Sequence, residues 1–179
     1  MTTRMFTAAL GLSALGLSAL GLATSAAAAG AAPGAVWQTR ALKSGTGCYT
    51  ATFVADNVML GYHYMPKERE FRIVAADKNW DDLVASGDQH DPIAVQLATP
   101  SGPLQLTSDE GHVMSLGQDM EAVGASWYGD NGSAAQKAVR KATSMTIGFR
   151  GKTIATLPLD GTPGALDALM DCAAGLSKS

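Results

Sequence analysis

The chain has 179 residues, 46% of them hydrophobic and 16% charged, with a net charge of −3 and two cysteines. An acidic balance without a basic stripe excludes nucleic acid or an anionic membrane as the natural partner, because clustered Lys and Arg hold such partners. Two widely separated cysteines and three histidines, none at i, i+4 spacing, make no zinc constellation, and no cofactor motif is complete.

At the amino end, Arg4 precedes an uncharged apolar run from Met5 to Leu22 with a tandem Gly-Leu-Ser-Ala-Leu repeat, followed by small residues from Ala23 to Ala32. Charged, apolar and small segments in that order are the signature of a cleavable secretory leader. Signal peptidase needs small side chains at −1 and −3, which places the cut between Ala27 and Ala32. The run is broken by Gly11, Gly16 and Gly21 and makes a poor spanning helix. Residues 1–29 therefore read as leader and 30–179 as one exported domain of about 150 residues, large enough for a single core. No second long apolar run follows, so the product is expected to be soluble, without membrane insertion, and the Ala/Gly-rich leader suggests a bacterial periplasmic or extracellular location. Cys48 and Cys172 are expected to pair there, closing a loop of about 124 residues that chain-entropy arguments value at about 4–5 kcal/mol.

Along the mature chain, Val36 to Leu42 is a candidate edge strand anchored by Trp37, and residues 43–47 a turn. Cys48–Val54 and Val58–Tyr64 are rich in aromatic and β-branched residues around Asp56-Asn57 and predict a hairpin. Glu70–Ala75 predicts a third strand with Phe71 and Ile73 on one face; residues 79–83 are polar enough for a short helical turn. Ile93, Val95 and Leu97 alternate with smaller or polar residues up to the Pro100-Ser101-Gly102-Pro103 stop. Leu104 and Leu106, then Val113, Met114 and Leu116, predict two shorter strands around the Ser108–Gly111 turn. Ser133 is read as the cap of a helix to about Thr143, with Ala134, Ala138, Val139 and Ala142 as its apolar face. Ser144–Phe149 and Thr153–Leu159 form a second hairpin about Arg150-Gly151-Lys152. Thr162 and Pro163 open a last helix carrying Leu166, Leu169, Met170 and Cys172. The pattern predicts an α+β domain: an antiparallel sheet or sandwich of about eight short strands with two helices near the C-terminus.

Catalytic patterns are sparse. Gly-x-Ser-x-Gly and Ser-x-x-Lys are missing from the mature chain, and Gly45-Thr46-Gly47 lacks the third glycine of a dinucleotide loop. His90, between Asp88 and Asp91, could form an acid–base pair, but adjacent residues on a Gly-bounded loop more often mark a solvated turn. His112 follows another turn, and His63 alternates with Tyr62 and Tyr64 on a strand. The residues best able to make a recognition surface are Trp127 and Tyr128, beside a Gly/Asn/Asp turn, and Trp80, because aromatics concentrate contact energy; core packing is the competing reading for each.

Trp37, Cys48, the alternating middle, the Ser144-Met145-Thr146-Ile147 strand and the ending Leu157-Pro158-Leu159-Asp160-Gly161-Thr162 with Ala165, Leu166 and Leu169 together resemble the invasion-associated locus B family of exported bacterial proteins. The resemblance implies a periplasmic β-rich fold without an established catalytic centre. The functional expectation is a non-catalytic exported binding or accessory protein, without cofactor or metal, whose partner is a protein or small molecule. The alternatives are a small exported hydrolase using His90 with Asp88 or Asp91, and an inhibitor of a secreted enzyme.

Overall fold

A computed structural model describes residues 36–55, 57–80, 83, 91–117 and 120–176; the leader assigned to residues 1–29 lies outside them. Strands β1 (Gln38–Ala41), β2 (Cys48–Ala55), β3 (Val58–Met65) and β4 (Glu70–Asp77) form an antiparallel meander, to which β8 (Met120–Trp127) adds beside β4 and β7 (Glu110–Gly117) beside β8. The second sheet has the order β10 (Lys152–Pro158), β9 (Ser144–Phe149), β5 (Ile93–Thr99), β6 (Gly102–Thr107), again antiparallel. Helices α1 (Gly129–Lys141) and α2 (Thr162–Leu176) complete an α+β sandwich.

Alternation on the strands explains the core. Leu60 and Tyr62 of β3, Phe71, Ile73 and Ala75 of β4, and Val123, Ala125 and Trp127 of β8 point to one face of the six-stranded sheet and are buried. They meet Ile93, Val95 and Leu97 of β5, Met145, Ile147 and Phe149 of β9, and the apolar stripe of α2, Leu166, Leu169 and Ala173. Side chains at every second strand position share a face, so an eight-residue strand supplies about four of them to a core.

The fold has ten strands among the described residues, not eight, and the most consequential addition is β8. Its sequence, Met-Glu-Ala-Val-Gly-Ala-Ser-Trp, is poor in β-branched residues, yet it lies between β4 and β7 inside the large sheet. The strand is buried on both faces: Val123, Ala125 and Trp127 face the main core, and Ala122 packs with Val74 and Ala76 on the other side. Packing overrides the weak strand propensity of Ala, Gly and Ser.

The Ser108-Asp109 turn carries the chain between sheets. Ser108 N–H donates to Ile93 O (3.1 Å) and its Oγ accepts from Ile93 N (2.8 Å), while Asp109 N–H donates to Ser126 O (2.8 Å). One residue thus closes on β5 and the next on β8.

Cys48 and Cys172 are joined, with Cα atoms 6.1 Å apart, which ties the start of β2 to α2. Trp37 stacks on Tyr62 (5.3 Å between centroids) and Tyr62 on Phe71 (6.0 Å). The Trp37 indole N–H donates to Asp160 O at 3.3 Å, and Tyr62 shares a buried hydrogen bond with Thr162 Oγ1 at 3.1 Å. Burial raises the Tyr62 phenol far above its usual range, so it stays protonated. Thr162 is therefore bound to the core through its hydroxyl at the mouth of α2.

Helix α1 begins at Gly129, four residues before the expected Ser133 cap. Its N-cap is Tyr128, without a side-chain cap bond, and Ser133 Oγ donates back to Gly129 O at 3.3 Å. Asp109, in the turn before β7, braces this end: Oδ2 accepts from Tyr128 N (2.9 Å) and Oδ1 from Asn131 Nδ2 (3.0 Å). These bonds go to the N–H of Tyr128 itself and to a side chain, so the carboxylate fixes the entry of the chain into α1 without capping the free N–H groups of its first turn.

Candidate functional site

Of the expected aromatic surface, Trp127 is withdrawn. It is 3% exposed, sits opposite Phe71 in the β4–β8 register and donates its indole N–H to Thr107 O at 2.8 Å. Its position on the inward face of β8 decides this. Trp80 is half-buried against the core, and the Tyr128 ring is half-buried with its hydroxyl donating to Glu110 Oε2 at 2.7 Å. Burial, followed by that bond to Glu110, raises the Tyr128 phenol to about 12, so it acts there only as a proton-bearing donor.

The outer face of the large sheet carries a polar band. In register across it stand Tyr49, His63, Arg72, Ser126 and Glu110. Glu70, 4% exposed, accepts at Oε1 from Ser126 Oγ (2.7 Å) and Arg72 Nε (2.9 Å), with Arg72 NH2 at 2.7 Å; Arg72 Nε also donates to Ser126 Oγ at 2.8 Å. The Ser126 hydroxyl is fully buried and committed to this knot, which unites β4 and β8 and gives a nucleophile no access to substrate. His63 contacts the Tyr49 ring at 5.9 Å; burial, then the charge of Arg72, lower its imidazole to about 4. His112 lies beside Glu110, with Nε2 3.7 Å from Oε2. The two histidines do not converge: β4 and β8 separate their strands, about 14 Å at normal strand spacing. Asp88 and His90 fall outside the described residues, and the remaining acid of that set, Asp91, is ion-paired with Arg150 at 2.7 Å. No cluster of three or more His, Cys, Asp or Glu side chains able to hold a metal occurs among the described residues.

A concavity lies elsewhere, between α1 and the β5–β6 hairpin. It has a volume of about 940 Å³ and is walled by Pro100, Pro103 and Leu104 on the hairpin side and by Ala134, Lys137, Ala138 and Lys141 on the helix. The sequence of α1 dictates this arrangement. Gly132, Ala135 and Val139 are buried on the core face, and residues 134, 137, 138 and 141 follow i, i+3, i+4, i+7 spacing along the adjoining face. Opposite, Thr99 pairs with Gly102 around a two-residue turn, which Gly102 closes at φ 112°, a conformation suited to glycine. Thr99 Oγ1 donates to Gly102 O at 2.6 Å, fixing the turn.

The frame is pinned where the walls meet: Thr143 N–H, just past α1, donates to Ala98 O at 2.9 Å, and Thr143 O accepts from Leu159 N at 3.1 Å. Leu104 is left 41% exposed at the rim, facing the groove from an edge strand. The only charged residues of the wall are Lys137 and Lys141, and neither is ion-paired with a described carboxylate, whereas neighbouring Arg140 is bound to Asp167 at 2.7 Å. Sequence reasoning missed this place. The available signal was a lysine pair at i, i+4 on an alanine-rich helix face, with an exposed leucine after a Pro-Ser-Gly-Pro turn.

Fold and groove together define a disulfide-closed, two-sheet α+β sandwich with an open cleft at one end. Compared with protein-family models, curated proteins and solved structures, the chain matches none.

Proposed function

We propose that the chain is an exported binding protein, working in the periplasm or outside the cell without performing chemistry, and that its ligand seats in the groove between α1 and the β5–β6 hairpin. The observation that carries this reading is the groove itself: a concavity of about 940 Å³, of the size that takes small organic ligands, with an apolar wall and two lysines at its rim. Export is supported by the Arg4-to-Ala32 leader pattern and by the Cys48–Cys172 bond, a linkage typical of oxidising compartments. No helix among the described residues is long and apolar enough to cross a membrane. The layout shared with exported proteins similar to the invasion-associated locus B family points the same way.

A small-molecule library titrated into the isotope-labelled, disulfide-bonded protein tests the reading. Hits should shift the amide resonances of Leu104, Ala134, Lys137 and Lys141 together, and Ala138→Trp, which fills the groove, should abolish those shifts. A library whose every hit maps elsewhere overturns the assignment.

A further inference from the structure

Resting on the reading of the groove as a ligand site, we propose that its ligand is a small amphipathic organic anion, a single carboxylate or similar acidic head on an unbranched apolar body. The charge pattern is the first argument. Lys137 and Lys141 stand one helical turn apart on the same face of α1, so their stems start about 5–6 Å from each other and both ammonium groups can reach one anionic head. No acidic side chain contributes to the wall, in a chain whose overall charge is negative, so the local sign opposes the global one.

The second argument is what surrounds the lysines. Pro100, Pro103, Leu104, Ala134 and Ala138 offer carbon to the cleft, and its two hydroxyls, on Thr99 and Ser101, are hydrogen-bonded to each other within the turn, that of Thr99 also donating to Gly102 O. A ligand must therefore satisfy two cations at one end and bury hydrocarbon along the rest. An acidic peptide fits less well, because its repeated charges would meet only this one cationic pair. A neutral sugar would leave its hydroxyls against proline and leucine. Burying an alkyl chain contributes about 0.8 kcal/mol per CH2, so a chain of roughly ten carbons can bind even where the head gains little. The lysines then select the sign of the head group more than they set affinity.

Calorimetric titration of the disulfide-bonded protein with dodecanoate, dodecanol and dodecyltrimethylammonium, all below their aggregation limits, tests this. Dodecanoate should bind at least ten-fold more tightly than the other two. The double substitution K137Q/K141Q should remove that preference while leaving dodecanol affinity within two-fold; both lysines are exposed, and an unchanged melting temperature certifies the fold. Equal binding of all three chains, unaffected by K137Q/K141Q but lost in Ala138→Trp, would overturn the anion assignment and leave the groove reading standing. If none of the three binds and a library hit still maps to the groove, the ligand class is again wrong and the site right; no hit at the groove at all removes both. Cosedimentation with phosphatidylglycerol vesicles but no uptake of free dodecanoate would assign the lysines to a membrane surface and overturn the proposal.

Discussion

Glu70 shows how much one residue can depend on its neighbours. Its buried carboxylate is tolerated because Arg72 and Ser126 satisfy it, and removing one partner of a buried pair strands the other in a poorly solvated place. Arg72 retains about a fifth of its exposure, so it can recover some hydration; Glu70→Ala should cost about 2–3 kcal/mol, read from urea unfolding. A loss below about 0.5 kcal/mol would mean the knot is not stabilising. His63 gives a pH signature of definite sign. Its folded imidazole stays neutral to about pH 4, whereas the ordinary imidazole value of 6.5 governs the unfolded chain, so the unfolded state takes up the proton first as pH falls. This contribution is complete above about pH 6.5 and declines toward pH 4 by up to about 1.4 kcal/mol per unit. Unfolding midpoints at pH 7 and pH 5 should therefore separate more in the native protein than in His63→Gln; equal separation would place the effect on other groups. None of this was visible in the sequence, where Glu70, Arg72 and Ser126 stand up to 56 positions apart.

At the level of elements, legibility followed the strength of local pattern. The hairpins at 48–65 and 144–158 were readable because alternation and turn residues agreed; the second turns through Arg150 and Gly151, both at positive φ, as a tight hairpin requires. β8 was not readable, because its pairing with β4 and β7 holds a run of Ala, Gly and Ser extended and nothing in its own sequence signals a strand. The start of α1 was misplaced for a related reason: its entry is fixed by distant groups, Asp109 accepting from Tyr128 N and Arg69 O accepting from Gly129 N, and not by a local cap. Gly132 makes the cost of that arrangement measurable. A Cβ there would lie 2.8 Å from Trp127 O and 2.9 Å from Arg69 O, both backbone atoms, and Arg69 O is held by Gly129 N at 3.1 Å. Helix propensity favours Ala over Gly by about 1 kcal/mol. The overpacking should win, and Gly132→Ala should lower stability by about 1–3 kcal/mol in thermal or urea unfolding. A stabilised variant would show that α1 can move away from β8.

For the whole molecule, the disulfide was the long-range contact that composition alone could predict, since two cysteines leave one intramolecular pairing. The groove was the opposite case. It arises only when the face of α1 and the β5–β6 turn, more than thirty positions apart, are brought together, so no window of sequence contains it. Reduction of the 124-residue loop should lower unfolding free energy by about 4–5 kcal/mol on the chain-entropy model, measured by denaturation with and without a reductant. Indifference to reductant would mean that the packing of α2 alone holds the ends. If the leader is removed as read above, the isolated protein should begin at one of residues Ala28 to Ala32 by mass spectrometry and be two hydrogens lighter than its reduced formula.

The placing of that bond also sets a schedule. In a chain that emerges amino end first, β2 and β3 can pair early, but Cys48 must wait as a thiol until residue 172 appears, and Tyr62 likewise waits for Thr162. Until then the inner face of the meander lies open where α2 will cover it. Maturation is thus timed by the last helix: a chain stopped before Thr162 keeps its thiol and its uncovered aromatic stack together.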